Sequence, residues 1–135
     1  MTDPGLVAKK LALIETCVRE LRSLIRPHEI VTDLRSERFA EHTLQIAIQA
    51  LLDVASHIVS DERLGEPRTN RELFDLLAGG GWLPADMVDT LKAMVGFRNI
   101  LVHGYEVVDA RIVKQIVEER LEDLLAFARV IRARA

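Results

Sequence analysis

A single cysteine, Cys17, stands among the 135 residues of this chain, so an intramolecular disulfide and a cysteine-built zinc site are both excluded. Cys17 falls inside an apolar helical stripe, where a buried structural thiol is the expected role. Aromatics are scarce: one Trp, one Tyr and four Phe. The core must therefore be filled by Leu, Ile, Val, Ala and Met, which favours helices packed on helices over a β-sandwich. Basic excess is also missing. A formal charge of −3 argues against a protein that coats nucleic acid broadly, although it allows a local basic cleft. The start Met1-Thr2-Asp3-Pro4-Gly5 lacks the charged and apolar run of a signal peptide. No uninterrupted apolar stretch approaches membrane-spanning length, so a cytoplasmic protein with no membrane partner is expected. With 49% apolar and 29% charged residues, one globular domain over 1–135 is expected rather than a disordered chain.

What is present is helical periodicity. Val7, Leu11, Ile14, Val18, Leu21 and Ile25 recur at alternating steps of four and three, the seam of a helix from Pro4–Leu6 to Arg26-Pro27. Pro27 marks its stop. Asp33 or Ser36 is suited to cap a second helix over Glu37–Ser60, whose apolar residues spread around much of its circumference. Such a helix is central to a bundle or shared with an oligomer interface. Thr69 or Asn70 can cap a short helix carrying Leu73, Phe74, Leu76 and Leu77. Gly79-Gly80-Gly81 ends it: no strand precedes and no Lys-Ser/Thr follows, so a phosphate-cradling loop is not indicated. Trp82-Leu83-Pro84 opens a fourth helix that ends at Gly104. A final helix runs from Asp109 to about Arg132. The pattern predicts an all-α antiparallel four-helix bundle with one additional short helix.

The chemistry-bearing residues cluster between Gly96 and Asp109. Arg98 continues the apolar stripe Val88–Leu91–Val95, and a guanidinium on an inward face needs a partner, a cavity or a cleft. His103 falls in the last helical turn, and Tyr105 follows just past Gly104. Arg98 and His103 are about 140° apart around an ideal helix and roughly 7–8 Å apart along it, so they can line opposite sides of one groove. Arginine holds phosphate through its planar fork, and histidine passes protons near neutral pH. The pair suits metal-free RNA cleavage, in which a base assists attack of the 2′-hydroxyl on the adjacent phosphate. Equally, an inward Arg commonly pairs with a carboxylate and a helix-end His commonly caps carbonyls. The residues alone leave both readings open. Asp53 and His57, at i,i+4, form a secondary candidate pair facing the cleft. The four histidines lack the spacing of a zinc site, and neither metal nor cofactor is expected.

Arg98, His103 and Tyr105 match an Arg-x4-His-x-Tyr signature, with Asn99 as the polar residue after the Arg. Together with the helix around Gln45–His57, the short helix Leu73–Leu77 and the Gly-Trp-Leu-Pro link, the chain resembles the HepT toxins of the HEPN superfamily of helical ribonucleases. The resemblance implies a HEPN bundle and a homodimer whose cleft is lined by Arg98 and His103 of both subunits. It implies metal-independent cleavage of RNA, with tRNA a favoured target class. It further implies a type VII toxin–antitoxin pair, in which an MntA-like minimal nucleotidyltransferase antitoxin transfers AMP from ATP to the Tyr of the motif, Tyr105. A bulky anionic adduct there would block the cleft and neutralise Arg98. Asn99, Asp53 and His57 are then possible supporting residues. The competing function is a non-catalytic HEPN module that forms a complex with, or binds substrate for, a separately encoded nucleotidyltransferase.

Overall fold

The computed structural model describes residues 3–104 and 108–134. Among these, six α-helices follow one another without a strand: α1 (Pro4–Ser23), α2 (Leu34–Asp61), α3 (Glu72–Gly79), α4 (Val88–His103), α5 (Ala110–Glu119) and α6 (Leu121–Arg134). Short 3-10 turns at Pro27–Val31 and Ala85–Met87 lead into α2 and α4. Each start has a local cause. The Asp3 carboxylate accepts from the backbone N–H groups of Gly5 and Leu6 at the head of α1. Asp33, not Ser36, is the cap of α2: it accepts from the Arg35 N–H at 3.2 Å, while the Ser36 hydroxyl donates to its other oxygen at 3.0 Å. Thr69 Oγ1 accepts from Glu72 N–H, and the Glu72 carboxylate accepts from Arg68 N–H in return, which satisfies two donors at the start of α3.

The glycine run behaves as a helix stop. Gly81 takes φ +82°, and the Trp82 N–H reaches back to the Leu77 carbonyl at 2.8 Å, closing the end of α3 in a conformation that only glycine adopts cheaply.

α2 is the central element, flanked by α1 along its length and touched by α3, α4, α5 and α6. Leu44, Leu51 and Ile58 are fully buried along it, and buried side chains from every helix join one core. By length and composition α2 is apolar enough to cross a bilayer, yet most of that stretch is covered by the other helices. Its hydropathy is that of a core helix. The last predicted helix differs from expectation: it is broken at Arg120, where α5 ends and α6 begins. α5 lies against the Pro27–Val31 turn and α2, whereas α6 lies against α1 and α2. The two halves serve different neighbours, while the apolar spacing of Val113, Val117, Leu121, Leu124, Ala128 and Ile131 runs through the break unchanged.

One buried charge has a measurable consequence. Glu41 on α2 is fully buried; Arg38 donates to its Oε1 at 2.8 Å, and Oε2 has no hydrogen-bond partner among the described residues. Burial pushes its carboxyl above the usual carboxylate range, with Arg38 opposing and Glu37 adding to the rise. The folded value lies above the unfolded one, so this group's full stability contribution is present below the unfolded value. It is lost as pH rises through the folded value. Glu41→Gln is expected to flatten the decline of the melting temperature across that window. An unchanged slope in the variant would assign the effect to another group.

Candidate functional site

Arg98 leaves α4 toward α2. Its Nη1 donates to Asn99 Oδ1 at 3.0 Å, and its Nη2 donates to Gln49 Oε1 through a short hydrogen bond. Gln49 in turn donates from Nε2 to Asp53 Oδ1 at 2.9 Å, and Lys10 of α1 closes on Asp53 Oδ2 at 3.0 Å. A chain of hydrogen bonds thus runs from α1 through α2 to the guanidinium. Among the described residues the direct partners of Arg98 are neutral amides, and the carboxylate at the far end of this hydrogen-bond chain is committed to Lys10. A guanidinium with neutral partners can hold an outside anion. The Arg98 Nε–H is buried with no acceptor among the described residues, a cost of about 1–3 kcal/mol for a donor in this situation.

His103 sits in the last turn of α4, exposed, without a hydrogen-bond partner among the described residues. Gly104 ends the helix with φ +147°, a conformation that favours glycine, and presents the imidazole at the bundle surface. Tyr105 lies outside the described residues.

The expected Asp53–His57 pair does not form. Asp53 is taken by Gln49 and Lys10, while His57 Nε2 accepts from the Asp3 backbone N–H at 3.1 Å and lies 3.7 Å from Asp61 Oδ2. His57 ties the start of the chain to α2 and takes no part in the Arg98 network. Gln49 and Lys10 went unnoticed in the sequence. Gln49 carried a signal, being a polar side chain one turn before Asp53 on a largely apolar helix. Lys10 carried none, because 43 residues separate it from Asp53.

A recess of about 240 Å³ between α1 and α2 opens beside this chain, lined by Lys10, His42, Gln45, Gln49 and Asp53 among others. A second, apolar recess of about 320 Å³ between α2, α4, α5 and α6 is lined by Leu44, Ile48, Met94 and Phe97 and contains neither Arg98 nor His103. Among the described residues no three His, Cys, Asp or Glu side chains form a metal-holding group.

A helical bundle in which an amide-held arginine and an exposed histidine share the end of one helix is of the HEPN class. The chain belongs to the Ribonuclease HepT-like family, whose model matches residues 14–131. It is 33% identical to the mRNA nuclease HepT of Shewanella oneidensis, over 95% of this chain and 97% of that protein. It is 26% identical to the tRNA nuclease HepT of Aphanizomenon flos-aquae, over 97% of this chain and 90% of that protein. Among solved structures, a tri-AMPylated Shewanella oneidensis HEPN toxin in complex with an MNT antitoxin superposes with a TM-score of 0.88 at 33% identity. That match covers 98% of this chain and 99% of the toxin.

Proposed function

We propose that this chain is the toxin of a toxin–antitoxin pair, a metal-independent ribonuclease acting on tRNA or mRNA in the cytoplasm. Its Arg98 binds the scissile phosphate and its His103 moves the proton. The observation that carries the reading is that, among the described residues, Arg98 is held by two amide oxygens and by no carboxylate. In the reaction, His103 accepts the proton of a 2′-hydroxyl as that oxygen bonds to phosphorus. The bond to the 5′-oxygen breaks, and the leaving oxygen takes a proton from the imidazole of a second copy across a two-fold cleft. The products are a 2′,3′-cyclic phosphate end and a 5′-hydroxyl end. Arg98 neutralises the charge that gathers on the phosphoryl oxygens. Asn99 and Gln49 hold the guanidinium, Asp53 orients Gln49, and His57 has a structural role.

Control falls to Tyr105. An MNT-type nucleotidyltransferase antitoxin joins the phenolic oxygen to the α-phosphorus of ATP as pyrophosphate leaves, and the added phosphate anion occupies the cleft beside Arg98. Expressed alone, the chain is expected to arrest bacterial growth, and the purified protein to cleave RNA equally well in excess EDTA. Co-expressed with its antitoxin it is expected to gain mass in AMP-sized steps that vanish in Tyr105→Phe. A folded, unmodified chain that cleaves no RNA would instead make this an adaptor module for the nucleotidyltransferase.

A further inference from the structure

We infer that Arg71, on the bend before α3, is a second phosphate-binding residue that holds the RNA backbone next to the cleavage point. This rests on the ribonuclease reading above for its biological purpose, though not for its physical argument.

The argument begins with Gly96, in the interior of α4. A glycine there costs about 1 kcal/mol relative to alanine, so it needs a reason. Packing within the chain supplies none: a Cβ at this position would meet only Arg71 Nη1, at 3.7 Å, an ordinary contact. The missing side chain leaves a shallow seat on the helix surface with a guanidinium at its edge. Glycine is the residue that lets a ligand come close to a backbone.

Arg71 keeps its charge. α3 runs antiparallel to α4, so that Asp75 meets Lys92 at 2.7 Å and Arg71, one turn earlier on its own strand of chain, reaches Gly96, one turn further along α4. Lys92 has taken the acid that lies one helical turn from Arg71. Exposed Arg71 therefore has no ion pair and no side-chain hydrogen bond among the described residues, and neither do the side chains of Arg63 and Arg68 in the same connection. An unneutralised arginine fork matches a phosphodiester.

The register points it at the site. Gly96 and His103 are seven residues apart, about 20° around α4 and roughly 10.5 Å along it. Both belong to one face, with Asn99 and exposed Ile100 between them. Arg98 leaves α4 on the opposite side, toward Gln49; a strand that follows the Gly96 face past His103 passes the Gly96 seat and places a neighbouring phosphate at Arg71.

The test uses the full chain carrying His103→Ala, so that RNA is bound without being cut, and bulk tRNA as the probe. Dissociation constants are measured from 50 to 200 mM salt with and without Arg71→Ala. Loss of one single-strand phosphate contact lowers the slope of log affinity against log salt by about 0.7, which is a roughly threefold smaller loss of affinity over that fourfold salt range. Arg71→Lys is expected to restore the slope. The position is exposed, so the melting temperature should not move. Identical affinity and slope in Arg71→Ala, or no tRNA binding by the parent chain, overturns the inference. If the native chain cuts no RNA while the slope still falls, the ribonuclease reading fails and the phosphate site stands.

Discussion

His103→Ala is expected to lower RNA cleavage by about 10²–10⁴-fold, the usual worth of a positioned acid–base group. The side chain is exposed and makes no hydrogen bond to the described residues, so its loss should leave the melting temperature and the Arg98 network in place. The measurement is single-turnover cleavage of a labelled RNA by native and variant protein, both confirmed free of AMP by intact mass. The fall should lie in the chemical step, with RNA affinity nearly unchanged. Cleavage within tenfold of native would remove His103 from the mechanism.

Arg98→Ala is expected to cost about 10²–10³-fold, the scale seen when one preorganised donor to developing charge is deleted. This variant strips a donor from Gln49 Oε1 as well, so a drop in activity alone mixes charge with structure. Gln49→Glu separates them. It keeps an oxygen acceptor where Gln49 Oε1 stands but makes it a carboxylate, pairing the guanidinium internally. If free charge on Arg98 drives catalysis, Gln49→Glu should approach the Arg98→Ala loss while the fold stays intact. Activity close to native in Gln49→Glu would show that geometry, not an available cation, is what the network supplies.

The network also shows how far a one-dimensional reading reaches. Helix faces repeat every three to four residues, so a local window reveals which side of each helix is inward. The stripes of α1 and α2, the cap at Asp33, the stop at Gly79–Gly81 and the end of α4 at Gly104 all follow from neighbours within a few residues. The Arg-x4-His-x-Tyr spacing is local in the same sense, and it led to the family the chain belongs to. The break at Arg120 escaped because nothing in its own window marks it. No Gly or Pro is there, and the cause lies in what each half packs against.

The sequence by itself determined the helical class, the approximate helix limits and the residues Arg98, His103 and Tyr105 as the place to look, because periodicity, capping and motif spacing are short-range properties. Only the tertiary structure decided what Arg98 touches. An inward arginine pairs with whichever group the packing brings opposite, and here that is Gln49, 49 residues away, with Asp53 beyond it bound to Lys10. The same long-range packing buried Glu41, drew His57 to Asp3 instead of Asp53, and set Arg71 beside Gly96. Charge in a folded chain is distributed by contacts between distant segments, and whether an arginine is spent or available is a property of the fold.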